Sequence, residues 1–185
     1  MFKHTHHVLV TGGAGFIGSH SVDLLLQQGF QVRVLDNLSS GQMTNLPQHP
    51  RLEFALGDIR DTQAVQAAMQ GVTHCLHLAA QVSVTSSVED PINSAMHNIV
   101  GALNVMHAAA QARVSKLVYA SSAAVYGIPA QLPLYEEAPI QPLSPYGLEK
   151  WVDERYAALL GSLHGLPSLG LRYFNVYGPR QDPSS

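Results

Sequence analysis

Val8-Leu9-Val10-Thr11-Gly12-Gly13-Ala14-Gly15-Phe16-Ile17-Gly18-Ser19-His20 runs from a β-branched apolar segment, through a cluster of glycines, into a helical pattern. The spacing predicts a strand, a tight turn and a helix N-terminus. Glycine tolerates positive φ and lets a backbone come close to another group. Gly12 is therefore read as making the turn, Gly15 as clearing space for a ligand at the helix start, and Gly18 as letting the helix lie close to the strand. Backbone N–H groups without helical partners, at the positive end of the helix dipole, then face the turn and suit a pyrophosphate. A glycine fingerprint alone is weak evidence, and its surroundings strengthen it. Ile17, Ser21, Leu24, Leu25 and Gln28 predict one face of an amphipathic helix, and a second strand, Gln31–Leu35, ends in Asp36. An acid about twenty residues past the glycines is where a ribose 2′-hydroxyl finds its acceptor.

The rest of the chain continues the alternation. Arg51–Leu56 reads as a third strand, Asp61–Gln70 as a helix with Asp61 or Thr62 as its N-cap, and Val72–Ala80 as a fourth strand. Glu89–Ala112 is an alanine-rich helical pattern with Pro91 near its start, where proline is tolerated. Lys116–Ser122, Ser144–Leu163 and Pro167–Phe174 read as strand, helix and strand. Strands alternating with helices of this length predict an α/β, doubly wound parallel sheet of Rossmann type, because parallel strands need crossovers. Ligands of such sheets bind beyond the carboxyl ends of the strands. Asp36, Asp58, Gln81 with Ser83, Ser121 with Ser122, and Asn175 all fall at those ends.

Composition narrows the function classes. With 185 residues, 46% apolar and 12% charged, and a net charge of −3 without any run of like charge, the chain fits a globular domain. Nothing in it suggests a nucleic-acid groove or a membrane-facing basic surface. Partners are expected to be small molecules or copies of itself. The single cysteine, Cys75, sits in an apolar stretch and is read as a buried strand residue, compatible with a reducing cytoplasm. Neither a signal peptide nor a segment of bilayer-spanning length is visible, so a soluble, cytoplasmic protein is expected.

Tyr146 and Lys150 open a helix just after Ser144-Pro145, and residues four apart share a helical face. A tyrosine hydroxyl, with an ordinary pKa of about 10, is a poor base at neutral pH. A fixed ammonium beside it favours the phenolate. Tyr146 can then take a proton from a substrate hydroxyl, while Ser122, at the end of the fifth strand, hydrogen-bonds the same oxygen. Alone, the pair would suit a packed tyrosine beside a solvated lysine. Together with the glycine turn and a strand-end serine, it reads as a catalytic group.

Thr11–Gly18, Asp36-Asn37, Asp58-Ile59, Ser121-Ser122-Ala123-Ala124-Val125-Tyr126-Gly127, Tyr146–Lys150 and Arg172-Tyr173-Phe174-Asn175 together resemble the extended short-chain dehydrogenase/reductases. Among these the likeness is greatest to the NAD-dependent UDP-sugar 4-epimerases. The resemblance implies that Phe16 and Ile17 meet the pyrophosphate, Asp36 and Asn37 the adenosine ribose, and Asp58 and Ile59 the adenine. It implies that Leu78, Ala79 and Ala80 form the wall beside the nicotinamide ribose, with Gln81 and Ser83 beginning the sugar side. Tyr146 matches the catalytic base, Lys150 the residue that binds the nicotinamide ribose and tunes that base, and Ser122 its partner. Phe174 matches a nicotinamide-site contact and Asn175 a contact to the sugar nucleotide. Asn98 matches a polar position of the long helix, with a structural role as open as a cofactor one.

Two details refine this expectation. Asn37-Leu38-Ser39-Ser40-Gly41 carries no basic residue to receive a 2′-phosphate, which favours NAD over NADP, and Arg33 is read as solvated or packed. Ala123 and Ala124 stand where related dehydratases and decarboxylases place acids, which favours oxidation and re-reduction at one carbon. The expected function is thus 4-epimerisation of a UDP-sugar through a transient keto intermediate. A keto-sugar reductase of the same family and a non-catalytic NAD-binding module are the alternatives.

No metal is expected. His4, His6 and His7 enter a strand without a nearby carboxylate or cysteine, and His74, His77, His97, His107 and His164 are read as packed or solvated. Trp151 and Tyr156 are read as core or subunit-interface residues. The resemblance implies a homodimer through the two long helices, and a C-terminal substrate domain beyond this chain. Residues 1–175 are accordingly read as the NAD-binding domain and 176–185 as the start of the connection to the missing domain.

Overall fold

The computed structural model describes residues 6–181. Six parallel strands form one sheet: β1 (His7–Thr11), β2 (Gln31–Asp36), β3 (Leu52–Leu56), β4 (His74–His77), β5 (Lys116–Ser122) and β6 (Ser168–Tyr173), in the order β3-β2-β1-β4-β5-β6. The order reverses between β1 and β4, the position at which open α/β sheets bind ligands. Helices α1 (Phe16–Gln27), α2 (Thr62–Met69), α3 (Val84–Glu89), α4 (Pro91–Ala95), α5 (Ala102–Gln111) and α6 (Pro145–His164) make the crossovers. The expected doubly wound fold is what the chain adopts.

One core lies between the sheet and α2, α5 and α6, built on Leu9, Leu35, Val105, Met106 and Leu117. The opposite face buries Val8, Val10, Val32 and Val34 against Val22 and Leu26 of α1. β1 and β2 therefore bury both of their faces, and their near-continuous aliphatic runs follow from that. Cys75 is buried in the first core, and burial pushes its thiol up to about 12.

Several expectations need correction. The buried side of α1 is Gly18, Ser19, Val22 and Leu26, whereas Leu24 is 57% exposed. The side chains that meet β1 and β2 lie on the Gly18–Val22 side because the helix start is pressed onto the turn there. The fourth strand stops at His77 instead of Ala80. Beyond Thr11, β1 turns away at Gly12, so Leu78 makes one last bond to Thr11 O at 3.0 Å and the chain leaves the sheet.

The long helix is interrupted as well. It starts at Val84, breaks at Asp90 and resumes at Pro91, because proline lacks an N–H and disfavours helical backbone in the preceding residue. Asp90 caps the new start, accepting from Asn93 N at 3.0 Å. Met96–Gly101 then winds as a π-helix before α5. For α2 the cap is Asp61, which accepts from Gln63 N at 2.8 Å, and α6 is capped by Ser144 and closed by Gly165 in the left-handed region.

Candidate active site

A cleft of about 1570 Å³ runs along the carboxyl ends of the strands, across the reversal between β1 and β4. It exceeds the roughly 300–1,000 Å³ typical of a single small-molecule pocket, so a dinucleotide and a second ligand can share it. Asp36, Asn37 and Ile59 line one end, the glycine turn its middle, and Ser122, Tyr146, Lys150 and Phe174 the other.

Gly12 makes the turn with φ +71°, and a Cβ on it would stand 2.7 Å from Ala79 N. A Cβ on Gly18 would lie 2.8 Å from Gly13 Cα and overlap Gly12 O, so the helix start is pressed against the turn. The first rung of the α1 ladder is Ser19 N to Gly15 O at 3.0 Å, which leaves the N–H groups of Phe16, Ile17 and Gly18 outside it. These three residues line the cleft.

Asp36 does more than stand at a strand end. One carboxylate oxygen accepts from Ala14 N at 2.9 Å and the other from Leu38 N at 2.8 Å. Leu38 has φ +59°, a conformation a leucine adopts only when it is held there. Asp36 thus ties the glycine turn to the loop after β2, and both oxygens keep a lone pair for a further donor. Free N–H groups at a helix start and an acceptor carboxylate one strand away fit a dinucleotide's pyrophosphate and ribose.

At the opposite end, Tyr146 and Lys150 project from one face of α6, with the ammonium 6.0 Å from the tyrosine ring centroid. Tyr146 N donates to Ser87 Oγ at 3.2 Å, which fixes the helix start against α3. Ser122 Oγ accepts from Ala124 N at 3.1 Å and keeps its own O–H to donate. Lys150 is nearly fully buried and forms an ion pair with buried Asp153 at 3.6 Å.

The profile of the NAD dependent epimerase/dehydratase family matches residues 8–185. The chain belongs to this family. A putative UDP-glucose 4-epimerase of Methanocaldococcus jannaschii is 46% identical over 178 residues, which cover 95% of this chain and 58% of that protein. Two solved structures superpose closely. The UDP-glucose 4-epimerase of Thermus thermophilus in complex with NAD has a TM-score of 0.91 at 47% identity, covering 96% of this chain and 58% of that one. The UDP-N-acetylglucosamine 4-epimerase of Methanobrevibacter ruminantium M1 in complex with UDP-N-acetylmuramic acid has a TM-score of 0.93 at 40% identity, with coverages of 97% and 58%. The chain spans little more than half the length of these relatives.

The family cleft gathers most of the residues named from sequence. Gly12, Gly15, Phe16, Ile17, Gly18, Asp36, Asn37, Ile59, Leu78, Ala79, Ala80, Ser122, Tyr146, Lys150, Phe174 and Asn175 all line it. Asp58, Gln81 and Ser83 stand outside the lining. Asp58 accepts from Arg60 Nη2 at 2.8 Å and Asn37 Nδ2 at 2.9 Å, and the Arg60 guanidinium holds its carboxyl well below the usual range. Ser83 caps α3, accepting from Ser86 N at 3.1 Å.

The Gln81 backbone is bracketed by Asn98, whose Oδ1 accepts from Gln81 N and whose Nδ2 donates to Gln81 O, both at 2.9 Å. Asn98 therefore has a structural role. Gln81 Oε1 is buried without a partner among the described residues.

Sequence reasoning misses other parts of the wall. His97, read as packed or solvated, lines the cleft, and its Nδ1–H donates to Asn93 O at 2.8 Å. Its place immediately before Asn98 is the available signal. Tyr177 and Arg180 also line the cleft, with Arg180 paired to Asp23 of α1 at 2.8 Å and His20 bonded to Pro179 O at 2.9 Å. The segment after β6 thus folds back over α1, which sequence distance conceals.

Arg33 is committed elsewhere, to Glu53 at 2.7 Å and to the carbonyls of Ala68 and Gln70. No group of three or more His, Cys, Asp or Glu side chains suited to a metal occurs among the described residues. His4 lies outside them.

Proposed function

We propose that the protein carrying this chain is an NAD-dependent epimerase that inverts carbon 4 of a UDP-sugar. The observation that carries this reading is the convergence of Ser122, Tyr146 and Lys150 on one end of a cleft whose other end suits a dinucleotide. Bound there, NAD would supply the hydride acceptor and donor for oxidation and re-reduction at one carbon. The N–H groups of Phe16 and Ile17 would hold the pyrophosphate and Asp36 the adenosine ribose. Ile59, in the cleft wall, would flank the adenine, with Asp58 just behind it. Leu78, Ala79 and Ala80 wall the nicotinamide ribose, and Phe174 the nicotinamide.

Tyr146 takes the proton from the carbon-4 hydroxyl and gives it back, Ser122 donates to the same oxygen, and Lys150 holds the phenolate's charge. Asn175 serves the sugar nucleotide from the cleft wall, and Gln81 and Ser83, which stand behind that wall, act on the sugar side through the segment leaving β4. Ala123 and Ala124 put methyl groups beside Ser122, which supports epimerisation over elimination.

The rest of the protein, beyond residue 175, would complete the sugar pocket. A homodimer is supported by the exposed apolar side chains Val88, Ile92, Met96 and Val100 along α3, α4 and the π-helical turn, and Leu148, Tyr156, Leu159 and Leu163 on α6. No helix among the described residues is long and apolar enough to cross a membrane, and a cytoplasmic location is part of this proposal.

The test is conversion of UDP-glucose, UDP-N-acetylglucosamine and UDP-glucuronate by the wild type and by Tyr146→Phe. Epimerisation with catalytic NAD, lowered at least about a hundredfold in the variant, is expected. Undiminished turnover by Tyr146→Phe would overturn the proposal, and net consumption of NADH or NADPH would assign a keto-sugar reductase instead.

A further inference from the structure

Tyr146, Lys150 and Asp153 follow one another at four- and three-residue spacing along α6, from the cleft wall into the interior. The Lys150 and Asp153 side chains are each 3% exposed, and their charged atoms are 3.6 Å apart. A buried ion pair of this kind is costly to form and is strongly felt by whatever stands next to it.

The surrounding charges have partners of their own. Glu149 accepts from Ser94 Oγ at 2.8 Å and Asn98 Nδ2 at 2.7 Å. Glu154 is forked onto Arg172 of β6 and accepts from Ser121 Oγ at 2.5 Å. His77 of β4 is kept uncharged by burial and by the nearby Lys150, and Tyr119 of β5 is kept neutral by burial and by Glu154 and Asp153. Among the described residues, Lys150 is left facing Asp153 as its ion-pair partner.

We propose that Asp153 is a positioning residue that sets the strength of the Lys150 charge acting on Tyr146. The inference rests on the proposed role of Tyr146 as the base. An ionised Asp153 compensates part of the Lys150 charge and withdraws support from the phenolate. A neutral Asp153 returns the whole charge to it. Burial raises the Asp153 carboxyl to about 7 against the pull of Lys150, so both conditions occur near neutral pH. As the medium acidifies, Asp153 takes a proton and more of the Lys150 charge is left to act on Tyr146.

The experiment is ultraviolet titration of the Tyr146 phenolate in the NAD-loaded protein, with Tyr146→Phe as the blank, for the wild type, Asp153→Asn and Asp153→Ser. The expected result is a midpoint about one pH unit lower in both neutral variants. In a Lys150→Met background, Asp153→Asn is expected to move nothing. Having two neutral replacements keeps the test open if one of them folds poorly.

An unchanged midpoint, or an equal shift without Lys150, would overturn the inference. Because the titration needs no turnover, it reads Asp153 separately from the epimerase assay. Absence of epimerisation in the wild type would sink the proposed function and leave this result standing.

Discussion

Asn98 donates to the Glu149 carboxylate at 2.7 Å, and both side chains are buried between the π-helical turn and α6. The same Asn98 amide group brackets the Gln81 backbone, so one side chain joins α6 to the segment leaving β4. The π-helix puts Asn98 between the two, and such turns are frequent at functional sites.

Asn98→Ala strips one donor from Glu149 and leaves the Gln81 N–H and C=O without partners. Unmade buried hydrogen bonds cost about 1–3 kcal/mol, so a loss of about 2 kcal/mol or more is expected in urea unfolding. Asn98→Asp is expected to be worse, since it sets a second carboxylate against Glu149. A neutral Asn98→Ala substitution would show that the bracket contributes nothing.

Gly12→Ala tests the turn. At φ +71° an alanine is strained, and its methyl would meet Ala79 N at 2.7 Å. Left-handed backbone costs about 1–3 kcal/mol at a non-glycine residue before any clash is counted, so the expected outcome is a loss of about 3 kcal/mol in thermal or urea unfolding. Loss of NAD retention is expected with it. Gly29 is the control: its φ is +91° but nothing lies within 4 Å, so Gly29→Ala is expected to cost less and to leave NAD retention intact.

These examples show which features a sequence carries. The glycine turn, the Asp61 cap and the Tyr146–Lys150 spacing are local signals, set by residues within a turn or two of one another, and Asp36 is marked by its place at the end of the second strand. The buried face of α1 is misread because Leu24 looks apolar in isolation, whereas contact with Val8, Val10 and Val34 decides what is covered. The break at Asp90 escapes notice because Pro91 suits a helix start as well as a helix's first turn. The Asp153 ion pair, the Asn98 bracket and the return of residues 176–181 over α1 join distant or differently wound segments, and no short window contains them.

His77 should give the fold an acid sensitivity. Its ring is buried and bonded to Thr11 Oγ at 2.7 Å, and burial, with Lys150 nearby, lowers it to about 3. An unfolded histidine takes a proton below about 6.5. Between about 6.5 and 3 the unfolded chain therefore binds a proton that the folded chain refuses, and stability falls as pH falls. Asp153 acts with the opposite sign over part of this range, because its carboxyl is raised and the folded state keeps that proton. Comparison at a fixed Asp153 isolates the histidine. From about pH 6 to about pH 4, wild type should lose up to about 1.4 kcal/mol more per pH unit than His77→Asn, read from urea midpoints. Parallel curves would mean that His77 is protonated in place.

The loop-tying contacts of Asp36 and its proposed role at the ribose can be separated by substitution. Its oxygens hold Ala14 N–H and Leu38 N–H, contacts that exist without any ligand, and each can still accept a ribose hydroxyl. Asp36→Asn keeps one carbonyl oxygen and turns an NH₂ group toward the other backbone donor, so one of the two contacts becomes a donor facing a donor. Asp36→Ala removes both. In the absence of NAD, both variants are expected to lose stability, by about 1–2 kcal/mol for asparagine and more for alanine. NAD affinity measured by calorimetry is expected to fall at least tenfold, about 1.4 kcal/mol, in both. If affinity fell while ligand-free stability stayed unchanged, Asp36 would act on the ribose alone, and the coupling between the glycine turn and the β2 loop would be incidental.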